Sequence, residues 1–237
     1  MQPQDKYYRQ YPITSPAYNC TRIAGKHIQD RGSRYFTGKM IEIGCGTKAK
    51  ALLVGEYVDE HIGLDHEDCQ HDQSNIDLLG TACNIPVENE HFDCALCTAV
   101  LEHLEEPQKA LHEVYRILKP GGYAIYTIPF FWHLHEEPRD FYRYTKHGIK
   151  YLFEKAGFEL VELKPLSGFW ITFGTELNYF LSDIARLGPL RFILKPIIAF
   201  NNMLWLIIDR FDRHFHPSTE KWTWMYMVVA QKAGDDR

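Results

Sequence analysis

The stretch Met40-Ile41-Glu42-Ile43-Gly44-Cys45-Gly46-Thr47 decides the fold. It begins as an apolar strand that contains one acid, Glu42, and it passes directly into a turn with two glycines. Glycine has no Cβ and tolerates positive φ, so such a turn lets a ligand approach the backbone closely. At the carboxyl end of a strand in an α/β sheet, this is the position at which nucleotide-like cofactors bind.

A second motif supports this interpretation. His61-Ile62-Gly63-Leu64-Asp65 is a short apolar strand that ends in an acid, about 20 residues after the glycines. At that spacing a carboxylate on the next parallel strand reaches the hydroxyl groups of a ribose. Each motif alone is also compatible with an ordinary turn or loop. Only the two motifs together indicate a binding site for a nucleotide-like cofactor.

The turn differs from that of a dinucleotide-binding protein. The dinucleotide pattern Gly-x-Gly-x-x-Gly has a third glycine, and Ala49 occupies its position here. This disfavours a nicotinamide-dependent oxidoreductase.

Four ordered segments resemble the signatures of the class I S-adenosylmethionine-dependent methyltransferases, type 11 group. They are the glycine turn; Ala82-Cys83-Asn84-Ile85-Pro86 followed by Phe92-Asp93; Val100-Leu101-Glu102-His103; and Arg116-Ile117-Leu118-Lys119-Pro120-Gly121-Gly122. The last is the most specific, because a helix end, a Pro-Gly-Gly turn and a strand from Tyr123 to Ile128 follow one another. The resemblance covers roughly residues 38 to 165, and a weaker resemblance is found at residues 222 to 232.

The alternation of apolar runs and helical patterns predicts an α/β fold. The resemblance implies a doubly wound, mostly parallel, seven-stranded Rossmann-like methyltransferase sheet, with an antiparallel last strand and a helical insertion before it. We place a helix at Pro107 to Leu118. We place the strands at 40–43, 61–65, 75–79, 92–97, 123–128, 158–163 and 226–230.

We predict a single methyltransferase domain over residues 1–237. Residues 1–38 form an N-terminal arm, helical from about Thr21, which either covers the cofactor as a lid or packs its tyrosines on the sheet edge. The core comprises 39–165 and 222–233. The connection at 166–221 is a helical cap, with helices from Thr175 to Ala185 and through the 190s and 200s, because a structureless loop of that length is implausible in a compact domain.

The resemblance implies S-adenosyl-L-methionine as the cofactor. The two glycines would let the backbone approach its methionine portion and ribose, an acid before them would orient its ammonium group, and Asp65 would hold its ribose hydroxyls. Thr81 stands where many relatives carry an acid that receives the adenine amino group. The predicted cofactor residues are Glu42, Gly44, Cys45, Gly46, Asp65, Ala82, Cys83 and Thr98.

The segment from Pro129 to Thr145 follows the fifth predicted strand and combines aromatic, histidine, acidic and arginine side chains. Histidine titrates near neutral pH, so His135, or secondly His133, could remove a proton from a substrate hydroxyl. Arg143 could bind an anionic substrate group and pair with Asp140. The alternative is a salt-bridged loop that only shapes the pocket.

Composition limits the classes of partner. The chain has 237 residues, a net charge of −5 and no cluster of basic residues, so we expect no nucleic-acid partner. Its six cysteines are typical of reduced thiols in a cytoplasmic protein. We predict no metal site: the ligand-rich run from Asp65 to Asp72 lacks zinc spacing, and Cys94 and Cys97 fall within one strand as core residues.

The stretch from Phe192 to Ile208 is apolar but is interrupted by Lys195, Pro196, Asn201 and Asn202. It therefore falls short of the ~20 clean apolar residues of a spanning helix. The alternatives for residues 190–211 are a helix on the inner membrane surface, a lid over an apolar substrate, a homodimer face, or packing on the domain.

These observations predict methyl transfer to a small-molecule, glycan or lipid-linked acceptor, at oxygen, in secondary metabolism or surface-polysaccharide biosynthesis. The alternative from another class is a non-catalytic, methyltransferase-like binding or scaffold protein.

Overall fold

The computed structural model describes residues 2–68, 73–186, 188–216 and 221–234. Within these ranges the strands are β1 (Lys39–Ile43), β2 (Glu60–Asp65), β3 (Leu78–Leu79), β4 (Phe92–Thr98), β5 (Leu118–Pro129), β6 (Phe158–Pro165) and β7 (Met225–Lys232). The α-helices are α1 (Pro3–Arg9), α2 (Tyr18–Tyr35), α3 (Ala51–Val54), α4 (Pro107–Ile117), α5 (Lys146–Lys155), α6 (Phe169–Ala185) and α7 (Arg191–Phe215). Two short 3-10 helices lie at Gln73–Asn75 and Leu101–His103.

The chain divides into two compact units. The sheet unit comprises Ile28–Pro129, Leu134–Lys164 and Tyr226–Arg237, and the helical unit comprises Met1–His27, Phe130–His133 and Pro165–Met225. Each unit is therefore built from segments that are far apart in the sequence.

The sheet has seven strands in the order β3-β2-β1-β4-β5-β7-β6. β1 pairs in parallel with β2 and β4, so that Glu42 lies between Gly63 and Leu96. β7 is the antiparallel strand, since its start lies beside the ends of β5 and β6. β1, β4 and the second half of β5 are almost entirely buried, as expected for central strands covered on both faces. The predicted fold class is confirmed.

Two strands differ from their predicted bounds by more than two residues. β3 is only two residues long, because Asn75 ends a 3-10 helix and the side chain of Asp77 accepts a hydrogen bond from the backbone N–H of Gly63 at 2.6 Å. β5 begins at Leu118, which is fully buried and pairs with Phe92 of β4. The predicted Pro-Gly-Gly turn is therefore wrong: those residues lie inside the strand, at an irregularity in the register.

The N-terminal segment contains two helices where one was predicted. α1 begins at Pro3, a residue whose fixed φ suits the first helical turn, and it buries Tyr7. α2 begins at Tyr18, three residues earlier than predicted, and the Arg22 guanidinium lies 4.3 Å from the centre of the Tyr18 ring. The role of the arm as a lid stays a prediction.

The helical unit is organised around α6 and α7. A Cβ on Gly174 of α6 would lie 2.3 Å from the ring of Trp205, so only glycine allows this close approach of the helices. Asn202 of α7 is fully buried and donates hydrogen bonds to the carbonyl oxygens of Ile13 and Ser15 at 2.8 and 2.9 Å. Asn178 of α6 in turn donates to the Asn202 side chain at 3.0 Å. These buried amides fix the position of α7 on its unit.

The opposite face of α7 is apolar and exposed. Among the described residues, α7 is one helix whose length and composition would let it cross a membrane, and only 17% of its most apolar window is buried. The prediction that this segment is too interrupted to span therefore does not hold by length and composition. The large hydrophobic residues of α7 that are more than half exposed are Phe192, Ile193, Phe200, Met203, Ile207, Phe211 and Phe215.

Candidate functional site

The glycine turn after β1 is held against the end of β2. The backbone N–H groups of Gly44 and Cys45 both donate to the carbonyl oxygen of Leu64, at 2.9 and 3.1 Å. Gly44 has φ +65°, and a Cβ on it would lie 2.4 Å from Cγ2 of Val100. Both its backbone conformation and its surroundings therefore require glycine.

Asp65 lies directly beside this turn. Its Oδ2 accepts a hydrogen bond from the backbone N–H of Gly46 at 2.8 Å, and its Oδ1 accepts one from the N–H of His66 at 2.9 Å. Each carboxylate oxygen can accept a further bond. The carboxylate thus supports the turn, and its predicted contact with the ribose remains a prediction.

Glu42 is fully buried at the end of β1. Its Oε2 lies 3.0 Å from Nε2 of His61, and its Oε1 lies 3.7 Å from Nζ of Lys50. Within the described ranges this Oε1 and the hydroxyl of Thr98, at the end of β4, are buried without a hydrogen-bond partner. Buried polar atoms are normally satisfied, so these two fit a ligand that brings its own donors.

The predicted adenine segment forms a tight turn between β3 and β4. The backbone N–H of Asn84 donates to the carbonyl oxygen of Thr81 at 3.0 Å, and Ala82 between them is buried. Burial, followed by the charge of Glu106, raises the pKa of the Cys83 thiol. This cysteine therefore remains a neutral side chain at the turn.

Cys45 is likewise a packing residue. Burial, followed by the nearby charge of Glu42, raises the pKa of its thiol to about 12. A Cβ on Gly63 would lie 2.8 Å from its Sγ, so this thiol fills the space between β1 and β2. The eight predicted cofactor residues all belong to the sheet unit, at the carboxyl ends of its strands or in the loops that follow.

His135 and Arg143 lie together around a buried acid. Arg143 donates to both carboxylate oxygens of Asp140, at 2.6 and 2.7 Å, and these bonds hold the pKa of Asp140 well below its usual range. Nδ1 of His135 lies 3.3 Å from Oδ2 of Asp140 and 3.4 Å from Nη2 of Arg143. Burial, followed by the charge of His103, lowers the pKa of His135. The imidazole is therefore neutral at pH 7.

Glu102 completes this cluster and was not among the predicted site residues. Its carbonyl oxygen accepts hydrogen bonds from the backbone N–H groups of Phe141 and Tyr142, at 3.0 and 3.2 Å, which anchors the loop to the end of β4. Its side chain is fully buried, and neither carboxylate oxygen has a hydrogen-bond partner among the residues described. Burial raises the pKa of Glu102 to about 8.

His103 faces the same carboxylate. Nε2 of His103 and Nε2 of His135 each lie 3.9 Å from Oε1 of Glu102, and the two imidazole rings meet edge to face with their centres 4.7 Å apart. Nδ1 of His103 donates to the carbonyl oxygen of Arg139 at 2.6 Å. In the sequence, the adjacent Glu102 and His103 after β4 could have indicated this cluster. Only the folded loop, however, places His135 beside them.

The other predicted residues lie elsewhere. His133 belongs to the helical unit, where its Nδ1 lies 2.9 Å from Oε2 of Glu176 on α6. In the run from Asp65 to Asp72, the residues Cys69, His71 and Asp72 lie outside the described residues. Cys94 and Cys97 are buried in β4, as predicted for core residues.

The chain is similar to known methyltransferases. Residues 41–126 match the sequence profile of the family described as "Methyltransferase domain". Demethylmenaquinone methyltransferase of Staphylococcus carnosus is 26% identical over 172 residues, which cover 55% of this chain and 71% of that protein. The 2-methyl-6-phytyl-1,4-hydroquinone methyltransferase 1, chloroplastic, of Oryza sativa subsp. japonica is 28% identical over 147 residues, which cover 56% of this chain and 44% of that protein.

A solved structure shares the fold. The crystal structure of the cyclase SpnF has a TM-score of 0.61 and 18% identity, and the alignment covers 90% of this chain and 81% of that one. At this identity the likeness concerns the fold alone, and a cyclase on this fold shows that the fold does not fix the reaction.

The family match and the site coincide. The matched segment begins in β1, contains the glycine turn, Asp65 and Thr98, and ends within β5. The buried acceptors Glu42 Oε1 and Thr98 Oγ1, and the turn that only glycine can form, fit S-adenosylmethionine as cofactor. Residues 41–126 thus match the methyltransferase family, and the sheet with its glycine turn has the fold of the class I S-adenosylmethionine-dependent methyltransferases.

Proposed function

We propose that the protein methylates an oxygen atom of a small-molecule acceptor and that His135 receives the proton of the acceptor hydroxyl. The observation that carries this proposal is a neutral, half-buried imidazole set between Asp140 and Glu102 in the unit that holds the cofactor residues. When bound, S-adenosylmethionine supplies a methyl group on a positively charged sulfur. The protein then has to orient the acceptor and accept one proton.

The surroundings of His135 suit a general base. Its Nδ1 lies near both Asp140 and Arg143, but Arg143 is already bonded twice to Asp140, and the carboxylate is both nearer and negative. We therefore place the ring proton on Nδ1, and in this tautomer Nε2 is the nitrogen that accepts the hydroxyl proton. The ionised Asp140 then stabilises the imidazolium that forms, as a carboxylate does in other acid–base pairs.

Two observations support an acceptor that carries an aromatic or quinone ring. The names of the two relatives specify a demethylmenaquinone and a phytyl hydroquinone, which both contain such a ring. Beside Asp140, the rings of Phe141 and Tyr142 are partly exposed and offer apolar contact to such a ring. A glycan acceptor of surface-polysaccharide biosynthesis is the alternative that a substrate screen would distinguish.

Replacing His135 with alanine should lower turnover by about 10²- to 10⁴-fold, the usual contribution of a general base. The affinity for S-adenosylmethionine should change by less than about twofold, since no predicted cofactor contact is removed. Methyl transfer from labelled cofactor to a panel of hydroquinones, catechols, glycans and lipid-linked sugars measures turnover. Calorimetry measures cofactor binding.

His112→Ala is the matched control for this substitution. His112 is on α4 and its Nε2 lies 3.4 Å from the carbonyl oxygen of Lys155, away from the cluster. Its variant should retain both turnover and cofactor affinity. Undiminished turnover in His135→Ala would reject His135 as the base, and loss of cofactor affinity would assign it a structural role.

We propose further that the protein works in the cytoplasm, peripherally bound at the inner face of the membrane through α7. The exposed apolar face of this helix is flanked by Arg191, Lys195, Arg210 and Arg213, which suit anionic lipid. On its buried side Asn202 bonds within the helical unit, and Asp209 accepts the backbone N–H of Ile171 at 3.3 Å. These polar contacts favour a helix that lies on a membrane over one that crosses it.

The double substitution Phe200→Asp with Ile207→Asp tests this proposal. Both side chains are more than half exposed on α7, so the change should remove lipid contact without opening a core. Sedimentation with vesicles that contain anionic lipid should fall by at least about tenfold, whereas Tyr151→Asp, an equally exposed site on α5, should sediment as the unmodified protein does. Unchanged sedimentation, with a dimer lost in the double variant, would instead assign this face to a homodimer.

A further inference from the structure

We propose that Glu102, His103 and His135 form a binding site for a divalent transition-metal ion. One ligand atom from each of the three side chains lies within 4.8 Å of the other two. All three belong to the sheet unit, Glu102 and His103 in the 3-10 helix after β4 and His135 in the loop after β5.

The side chain of Glu102 is the first reason for this proposal. It is fully buried, and both of its carboxylate oxygens lack a hydrogen-bond partner in the part of the chain that is described. A buried ionised carboxylate without a donor or a cation is strongly unfavourable. A metal ion would supply the missing positive charge.

The distances need only a small adjustment. Oε1 of Glu102 lies 3.9 Å from Nε2 of both histidines. Around a tetrahedral zinc ion with bonds of about 2.0–2.1 Å, two ligand atoms are about 3.4 Å apart. A contraction of about half an ångström would bring each of the two carboxylate–imidazole pairs to that separation, and the two histidine ligand atoms start within 4.8 Å of each other.

The second ring nitrogens are oriented as in known metal sites. Nδ1 of His103 donates to the carbonyl oxygen of Arg139 at 2.6 Å, and Nδ1 of His135 faces the carboxylate of Asp140 at 3.3 Å. Metal-bound histidines usually make such a contact with a carbonyl or carboxylate, which turns the other nitrogen towards the ion. Here both Nε2 atoms are turned towards Glu102.

The ligand set indicates the class of ion. Two imidazoles and one carboxylate suit zinc, iron(II) or manganese(II), and three protein ligands leave at least one position open. Oε2 of Glu136 lies 3.8 Å from Nε2 of His103 on an exposed side chain. It could act as a further ligand when no substrate is present.

The role of the ion rests on the proposed function. The acceptor hydroxyl would occupy the open position, where a metal ion lowers its pKa and its proton leaves to water. The oxygen lone pair then forms the bond to the methyl carbon, while the electron pair of the broken carbon–sulfur bond stays on sulfur. With the ion bound, His135 is a ligand and the proton goes to water, whereas in the metal-free protein His135 is the base of the proposed function.

Zinc binding to the full-length, tag-free protein, first treated with a chelator, tests the site by calorimetry. We expect one ion per chain with micromolar or tighter affinity, and affinity lower by at least about a hundredfold in Glu102→Gln and His103→Ala. His112→Ala should bind zinc like the unmodified protein. Equal zinc affinity in Glu102→Gln and the unmodified chain would overturn the proposal.

Cobalt(II) gives a second readout that does not depend on stability. Cobalt bound by two imidazoles and a carboxylate should show visible d–d absorption that Glu102→Gln and His103→Ala lack, while both variants still bind S-adenosylmethionine and are therefore folded. Absorption that persists in both variants would overturn the site. Metal binding with no methyl transfer to any acceptor would uphold the site and count against the proposed function, whereas full methyl transfer in the chelator would reject the ion's catalytic role.

Discussion

Replacing Gly44 with alanine should weaken binding of S-adenosylmethionine by at least about a hundredfold, or about 2.7 kcal/mol. The residue has φ +65°, where a side chain is strained by about 1–3 kcal/mol, and its new Cβ would lie 2.4 Å from Cγ2 of Val100. To relieve this contact the turn has to move away from β4. The backbone that should contact the cofactor would then be displaced, and calorimetry with S-adenosylmethionine would measure the loss.

Two variants separate the causes of this effect. Gly121→Ala has a similar backbone strain, with φ +78°, but no atom lies within 4 Å of its Cβ position, so it should retain cofactor binding. Adding Val100→Ala to Gly44→Ala removes the colliding methyl groups and should recover part of the affinity. Full affinity in Gly44→Ala alone would show that the cofactor does not bind over this turn.

Replacing Glu102 with glutamine should change how stability depends on pH. Burial raises the pKa of Glu102 to about 8 in the folded protein from an ordinary 4.5. Between these values the folded state binds more protons than the unfolded state, so the free energy of unfolding falls as pH rises through this window. Glutamine cannot ionise, and the variant should therefore gain stability relative to the unmodified protein, on the order of 4 kcal/mol by pH 8.

Denaturant unfolding of both proteins at several pH values from 4 to 9, in a chelator, would measure this difference. The chelator matters because a bound cation would favour the ionised carboxylate and reduce the gain. Parallel stability curves for the two proteins from pH 5 to 8 would mean that Glu102 is solvated or paired in solution, which would contradict the buried environment seen here.

The fold could be predicted well because its signals are local. β1 and β4 are mostly apolar runs, interrupted by Glu42 and Asp93, and the two glycines follow directly after β1. The start of β5 was harder to predict from the sequence. Pro120 and Gly121 indicate a turn in any local context, but pairing of the buried Leu118 with Phe92 extends the strand through them.

Of the site, the cofactor residues could be predicted from the sequence, whereas the cluster around Glu102 could not. The cofactor residues follow one another at family spacing, so their order and spacing along the chain predicted them. The cluster of Glu102, His103 and His135 joins two loops that are more than thirty residues apart in the sequence. The loop is held by the bonds from Phe141 and Tyr142 to the carbonyl of Glu102, a contact that no local pattern indicates.

The helical unit consists of three segments that are far apart in the sequence, and this limits when it can fold during synthesis. Asn202 binds the carbonyl oxygens of Ile13 and Ser15, and Asn19 donates to the carbonyl of Asn202. Residues 2–27 therefore leave the ribosome long before their partners on α7 exist, and they must wait until α7 has been made. A shortened expression clone that starts at Ile28 would lose these partners, and the buried amide N–H group of Asn202 would lose both of its acceptors.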